Sequence, residues 1–168
     1  MSAELFPEVT EGTMIAFTVL GKPVSRGSKS AWIPRRKDGS MVTRANGSPV
    51  IAMMDSTKGR SRDWMASVRD NARVAYDGPL LQGPCMVSLS FVFVRPKSHF
   101  GTGKNSNRLK DSAPDRPTTE ADVDKLVRPM LDSFKGVIWR DDSQVTRLVA
   151  EKCWGEPACA IVLIEELL

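Results

Sequence analysis

The chain has 168 residues, a net charge of +4, and a composition that is 41% hydrophobic and 26% charged. This is ordinary globular usage, and it excludes collagen-like, coiled-coil and wholly disordered chains. The length predicts one domain that can bury a core without disulfides or a structural metal. The apolar runs are too short to cross a membrane, and no signal-peptide pattern begins the chain. We therefore expect a soluble, cytoplasmic protein without a membrane partner.

Charge is unevenly distributed along the chain. The segment from Lys22 to Arg116 contains 18 Lys/Arg and 7 Asp/Glu, a net charge of +11. The remaining residues contain 6 Lys/Arg and 13 Asp/Glu, a net charge of −7. A basic body beside a compact acidic cluster is expected of a protein that binds a polyanion and also binds cations. A solvated basic surface is the alternative, which the charge alone does not exclude.

Strands, tight turns and one helix are predicted in the first half of the chain. The β-branched and aromatic residues of 14–20 predict a first strand, and Asp38-Gly39 and Asn46-Gly47 predict hairpin turns. A helix is expected from a cap at Ser56 or Thr57 to Tyr76. One face of this helix is apolar and arginines occupy the rest. The apolar positions are Trp64, Val68, Ala72 and Ala75, and the arginines are Arg60, Arg62, Arg69 and Arg73.

A central strand, a long loop and a second helix are predicted in the second half. Residues 84–95 have apolar side chains at every second position, the pattern of a strand. Residues 96–117 are basic and show no periodicity, and a loop of this length is usually functional or disordered. A helix is predicted at 122–135, with an apolar face. Further strands are expected at 137–139, at 144–153 (which could be partly helical) and at 158–165.

These elements predict a single α+β domain, α/β-like in composition, whose mixed β-sheet is packed by two main helices. The domain spans residues 14–168 and follows a polar tail at residues 1–13. The three cysteines are expected to be free thiols, because their spacing with the only histidine, His99, fits no zinc ribbon or finger. A single histidine also leaves little support for nucleophilic catalysis of the Ser-His-Asp kind.

Charged residues recur along one face of the second predicted helix. Asp122 and Asp124 begin this helix, where free backbone N–H groups favour negative charge. Arg128 follows Asp124 by four residues and Asp132 follows Arg128 by four, so the three share a face. Pro129 lies inside the helix, where it is predicted to remove one backbone hydrogen bond and to bend the axis.

A second acidic pair, Asp141-Asp142, follows the predicted strand at 137–139. If that strand returns beside the helix, Asp142 can meet Asp122 and Asp124. Carboxylates without a nearby histidine form an all-oxygen site, which suits Mg²⁺ or Mn²⁺ rather than zinc. Each acid could instead cap a helix, pair with Arg128 or occupy a turn, and the spacing alone leaves both interpretations open.

The segment DVDKLVRPMLDSFKGVIWRDDSQV, residues 122–145, resembles the signature of the RusA-like Holliday junction resolvases. Residues 17–27 resemble the first strand and basic loop of that family, and residues 95–99 resemble the end of its central strand. Lys152 resembles the basic residue at the end of the next strand. The resemblance covers residues 14–164 and implies a RusA-like fold. It also implies a homodimeric, Mg²⁺-dependent endonuclease of bacteria and their phages, which resolves four-way junctions by paired nicks in DNA recombination and repair.

The resemblance also implies roles for single residues. Asp122, Asp124 and Asp142 match the metal-binding catalytic aspartates, and Asp141 beside them is a further candidate metal ligand. Arg128 stands where the family has a functional basic residue, commonly lysine. A guanidinium can stabilise negative charge, but it is a poor general acid.

Basic side chains outside this cluster are expected to hold the arms of the junction through phosphates rather than bases. The expected contacts are Lys22, Arg26, Lys29, Lys97, Lys104, Arg108, Lys110 and Lys125. Three alternatives stay open: a non-catalytic DNA-binding protein of the same fold, an enzyme that acts on forks or flaps, and an adaptor protein with a fortuitous acidic patch.

Overall fold

A computed structural model describes residues 12–26, 29–55 and 59–167, without the side chains of residues 29, 30 and 53–55. Residues 1–11 of the predicted tail, and the predicted helix cap at Ser56 or Thr57, lie outside the described residues. Among those that are described, no helix combines the length and the apolar composition that a membrane crossing requires.

A four-stranded mixed sheet forms the centre of the domain, in the order β1-β6-β4-β5. The β1/β6 and β6/β4 pairs are antiparallel and the β4/β5 pair is parallel. The strands are β1 (Met14–Leu20), β2 (Lys29–Trp32), β3 (Ala52–Asp55), β4 (Cys85–Phe93), β5 (Val145–Trp154) and β6 (Cys159–Glu166). β2 and β3 form a separate antiparallel ribbon. The mixed sheet and the two helices of the domain confirm the predicted α+β class.

The two helices, α1 (Arg60–Ala75) and α2 (Val123–Phe134), pack on each other and share one core with the sheet. Trp64, Val68 and Ala72 of α1 are buried, as their spacing predicts. Ala75, predicted for the same face, is exposed, because α1 ends at this residue and the chain continues in an extended conformation at Tyr76.

Alternating apolar residues of β4 form the centre of this core. Val87, Leu89, Phe91 and Phe93 are each at most 1% exposed, as the period-two pattern predicts. Next to them the ring of Phe134, at the end of α2, makes edge-to-face contacts with Trp139 at 5.4 Å and with Phe17 at 5.8 Å. These contacts fix the end of α2 against the sheet and against the segment that follows it.

The segment after α2 differs from its prediction. Residues 137–139 form a turn rather than a strand, with isolated bridges from Trp139 to Lys135 and to Leu81. Gly136 reverses the chain with a φ of 72°, a conformation that glycine adopts without strain. Ile138 is buried in this turn. A buried turn shows the same short apolar run as a strand, which explains the wrong prediction. β5 is extended throughout, and the expectation of helix within it is wrong.

The tight turns between β2 and β3 agree with their prediction. Gly39 and Gly47 have φ values of 82° and 79°, and isolated antiparallel bridges flank both turns. The long basic loop at 96–117 contains two one-turn 3-10 helices and a bridge between Phe100 and Leu109. Its Pro114 carbonyl accepts hydrogen bonds from Arg95 and from Trp154, so the loop is tied to the sheet.

Candidate active site

A cavity of about 460 Å³ lies between α2 and β5. Asp124, Arg128 and Asp132 line it from one face of α2, as their spacing of four predicts, and Asp142 lines it from a 3-10 turn before β5. The remaining wall is apolar, formed by Val123, Val127, Leu131, Leu148 and Ala150. The structure therefore brings Asp142 to the same cavity as Asp124, although a turn rather than a strand returns the chain.

Asp142 has the most unusual environment of these acids. Its Oδ1 atom is buried, and it has no hydrogen-bond partner among the described residues. A buried carboxylate oxygen is costly unless something compensates its charge. A cation bound in the cavity would supply that compensation.

Gln144 holds the turn that carries Asp142. Its Nε2 donates to the carbonyl oxygens of Leu81 and Gly83 at 2.8 and 3.2 Å. Its Oε1 accepts from the backbone N–H groups of Arg140 and Asp141 at 3.0 and 3.2 Å. The glutamine thus ties the turn to the strand-entry segment before β4. Gln144 belongs to the signature at residues 122–145, but the sequence pattern predicted no role for it.

Asp141 is not among the residues that line the cavity, and both of its carboxylate oxygens are engaged. One accepts from Lys135 Nζ and the other from the backbone N–H of Ser143, which caps the 3-10 turn. The Lys135 ammonium and the Ser143 N–H lower the pKa of Asp141 to about 2. That Asp141 binds metal stays a prediction, and these contacts give it a structural role.

Asp122 precedes α2 and is not among the residues that line the cavity. Its carboxylate accepts a hydrogen bond from Lys125 Nζ at 2.5 Å, which lowers the pKa of Asp122 and raises that of Lys125. Lys152 stands nearby, and its ammonium donates to the carbonyl of Ala121 at 3.1 Å. Asp122 is therefore neutralised by the protein's own cations.

Asp132 pairs with Arg26 rather than with Arg128. The alternative in which Arg128 only forms an ion pair with Asp132 is wrong, because a residue 106 positions away takes that partner. Arg128 is exposed and has no ion-pair partner among the described residues. Its charge is thus available at the cavity that Asp124 and Asp142 line.

Pro129 explains how the basic loop after β1 is held near this cavity. Proline has no N–H to donate to the carbonyl four residues earlier, and that carbonyl, of Lys125, instead accepts from the backbone N–H of Arg26 at 2.9 Å. The predicted loss of one helical hydrogen bond therefore becomes an attachment point, which positions the Arg26 side chain beside Asp132.

The predicted DNA contacts fall into two groups. Lys22, Arg26 and Lys125 each pair with an acid of the α2 region: Glu120, Asp132 and Asp122, respectively. In the long loop Arg116 pairs with Glu151, but the four predicted contacts are exposed and have no ion-pair partner among the described residues, although Lys110 donates to the Ser98 carbonyl. They are Lys97, Lys104, Arg108 and Lys110. The prediction for the Lys29 side chain lies outside what the structure describes.

The cavity offers oxygen donors of the type that Mg²⁺ prefers. Three carboxylates line it, of which Asp132 is paired with Arg26. Asp124 and Asp142 have no such partner among the described residues, and the buried oxygen of Asp142 fits a bound cation. Within residues 12–26, 29–55 and 59–167, however, no three His, Cys, Asp or Glu side chains form a ready metal cluster. The three cysteines are free, and burial raises the pKa of each thiol.

Comparison with known proteins agrees with the resemblance in the signature. The family described as endodeoxyribonuclease RusA matches residues 34–165. The uncharacterized protein YqaN of Bacillus subtilis strain 168 is 31% identical over 157 residues, which cover 91% of this chain and 96% of that protein. The family match at residues 34–165 therefore includes α1, α2, the turn with Asp142 and three of the four strands of the central sheet. The chain belongs to the RusA endodeoxyribonuclease family.

Proposed function

We propose that this protein is a Mg²⁺-dependent endonuclease that cuts four-way DNA junctions by paired nicks, as a homodimer. The observation that carries the proposal is the cavity in which Asp124 and Asp142 converge beside Arg128, with one oxygen of Asp142 buried and unpartnered. Family membership supports the nuclease activity, and the cavity supports where it occurs.

Asp124 and Asp142 would hold the metal ion, and the resemblance adds Asp122. Mn²⁺, which favours similar oxygen donors, could replace Mg²⁺. When bound, such an ion lowers the pKa of a water molecule and offsets charge on the phosphoryl oxygens. Arg128 lines the same cavity, so its guanidinium can stabilise the charge that develops on the phosphate. Gln144 acts as a positioning residue, since it fixes the turn that carries Asp142.

A homodimer would match the near two-fold symmetry of a four-way junction, because two equivalent sites could cut opposing strands. The exposed basic loop at 96–117 would then contact the arms through phosphates.

Labelled four-way junctions, forks and linear duplexes of the same sequence should be incubated side by side with Mg²⁺, with Mn²⁺ and with EDTA. The proposal expects symmetric nicks in the junction, only with a metal ion. A cruciform plasmid separates paired from single nicking, since paired cuts give linear DNA and single cuts give open circles. Cutting of forks alone would support the fork or flap alternative, and binding without cutting would support the non-catalytic one.

A further inference from the structure

We infer that α1 and the loop after β1 form a second phosphate-binding surface, which holds the DNA backbone beside the strand that is cut. We call this surface the arginine groove; its basic residues are Arg26, Arg62, Arg69 and Arg73. The inference rests on the proposed function, because it assumes that DNA occupies the neighbouring acidic cavity.

The groove is a cavity of about 500 Å³ with arginines on two walls. Arg62, Arg69 and Arg73 come from α1, where spacings of seven and four place them on one stripe of the helix. Arg26 comes from the loop after β1, which the Lys125 carbonyl holds in place. Arg26 pairs with Asp132, so the repulsion among like charges that a bound anion would relieve is mainly that of the three α1 arginines.

Acidic residues compensate only part of this charge: Arg26 pairs with Asp132 of α2, and the three arginines of α1 have weaker compensation or none. Asp70 is the one acid among the residues that line the groove, and it lies 3.5 Å from Arg73 in an exposed pair, a geometry that contributes little. Arg69 donates to the Ser133 carbonyl at 3.4 Å, a contact that orients the guanidinium and brings no countercharge to it. Arg62 is exposed and has no ion-pair partner among the residues that the structure describes.

One ion pair joins the groove to the acidic cavity. Arg26 lines the groove, Asp132 lines the cavity, and the two side chains pair with each other. The two cavities are therefore neighbours across the Arg26–Asp132 pair. A DNA backbone whose scissile phosphate lies near Asp142 can continue into the groove without crossing the body of the protein.

The length of the arginine stripe fits a nucleic-acid backbone rather than a single small anion. Arg62 and Arg73 are eleven residues apart in α1, which is about 16 Å along a helix axis. Phosphates along one DNA strand advance by about 3.4 Å per nucleotide. The stripe can thus follow several consecutive phosphates, which favours a DNA strand as the occupant.

The test compares two double variants that remove the same charge. Arg62→Gln with Arg73→Gln removes two groove arginines, and Arg36→Gln with Arg44→Gln removes two exposed arginines of the β2–β3 turns. Affinity for a four-way junction is measured by fluorescence anisotropy in EDTA over a series of salt concentrations. We expect the groove variant to bind roughly tenfold more weakly and its salt slope to fall by about two, because two phosphate contacts are lost.

A second measurement locates the contact. Methylphosphonates, which lack the phosphate charge, are placed one at a time on either side of the scissile phosphate. At one or more neighbouring positions, the substitution should weaken binding of the wild type but weaken the groove variant no further. Arg62→Lys with Arg73→Lys should retain most of the affinity. Unchanged melting temperatures would show that both variants fold, and Arg62→Gln alone serves if the double variant does not.

Equal binding by wild type and groove variant would overturn the inference. Equal weakening by the groove and control variants would also overturn it, because the effect would then be one of net charge. Failure of the proposed function has a different signature: the wild type would cut no DNA with Mg²⁺, while the difference in binding between the two variants would persist.

Discussion

Four of the five aspartates of the signature divide into an inner and an outer pair, and the fifth, Asp132, pairs with Arg26. The inner pair, Asp124 and Asp142, lines the acidic cavity and has no ion-pair partner among the described residues. The outer pair, Asp122 and Asp141, is bound by Lys125 and Lys135, respectively. Each inner residue lies within two positions of an outer one. Aspartates that are neighbours in the sequence therefore differ in environment, because only the outer pair has a lysine ammonium beside it.

Lysine pairing and metal binding compete for the same oxygens. A carboxylate that accepts an ammonium is already compensated, whereas the buried oxygen of Asp142 is not. Asp122 stands between the two cases, since the resemblance makes it a metal ligand and Lys125 presently holds it. Binding of a metal by Asp122 would therefore have to displace Lys125 from the carboxylate.

Neutralising the inner pair should have the largest effect. Asp124→Asn and Asp142→Asn should each reduce single-turnover cleavage of a four-way junction by about 10²–10³-fold, because metal ions supply several kcal/mol to such transition states. Asp141→Asn, with the same change of charge, should retain most of the rate. Junction binding should be unchanged or tighter in all three. Near wild-type rates for both inner variants would contradict the account.

Asp122→Asn tests whether Asp122 binds the metal ion during catalysis, like the inner pair, or stays paired with lysine, like Asp141. We expect a loss comparable to that of the inner variants, measured in the same assay, because the resemblance assigns it to the metal. A rate close to that of Asp141→Asn would place Asp122 with the outer pair and would leave the metal to two carboxylates.

Arg128 comes next in expected effect. Arg128→Ala should slow single-turnover cleavage at saturating DNA by about 10–100-fold, because it removes a positive charge beside the phosphate. Arg128→Lys should retain or raise the rate, since lysine preserves the charge and can also donate a proton. Melting temperature should hardly change, because Arg128 has no ion-pair partner among the described residues. A wild-type rate for Arg128→Ala would remove Arg128 from the active site.

Replacing Gln144 tests whether the position of Asp142 depends on the turn that Gln144 holds. Gln144→Ala leaves the Leu81 carbonyl without the Gln144 donor and the Gly83 carbonyl with only the weak thiol donor of Cys85, which should destabilise the fold by about 1–3 kcal/mol. It should also slow cleavage by about tenfold, as expected when a reacting group is misplaced. Gln82→Ala is the control, because Gln82 is exposed and its side chain donates only to Leu80 within the described chain. Equal stability and rates for both variants would contradict a positioning role.

The basic loop should have the smallest effect on cleavage and a clear effect on binding. Replacing its four exposed cations that lack an ion-pair partner among the described residues with alanine should lower the slope of log affinity against log salt by about three to four, since each lost phosphate contact contributes about 0.9. The rate at saturating DNA should change little. The substitutions are Lys97→Ala, Lys104→Ala, Arg108→Ala and Lys110→Ala. An unchanged slope would show that the loop does not contact DNA.

Local patterns predicted the fold better than they predicted the site. The bounds of β1 follow from its β-branched and aromatic composition, and the buried face of β4 follows from side-chain alternation. Both are properties of neighbouring residues. Residues 137–139 were mispredicted because a buried turn and a strand share an apolar composition. Three-residue segments carry too little periodicity to separate the two.

The site depends on contacts between distant parts of the chain. Helical spacing placed Asp124 and Arg128 on one face, but it could not show that Arg26 would take Asp132 as its partner. Pro129 signalled a freed carbonyl without indicating which N–H would bind it. Such pairings are set by how β1 and α1 pack against α2, and no local pattern encodes that packing.

Metal binding in the absence of DNA is the most direct test of whether Asp124 and Asp142 form the metal site. Mn²⁺ bound to the full-length protein can be measured by electron paramagnetic resonance for the wild type, Asp142→Asn and Asp141→Asn. We expect Asp142→Asn to weaken Mn²⁺ binding by about tenfold or more, since even changes beyond the ligands cost 10–100-fold, and Asp141→Asn to bind Mn²⁺ like the wild type. Equal Mn²⁺ affinity of the wild type and Asp142→Asn would contradict the assignment of the inner pair as the metal site.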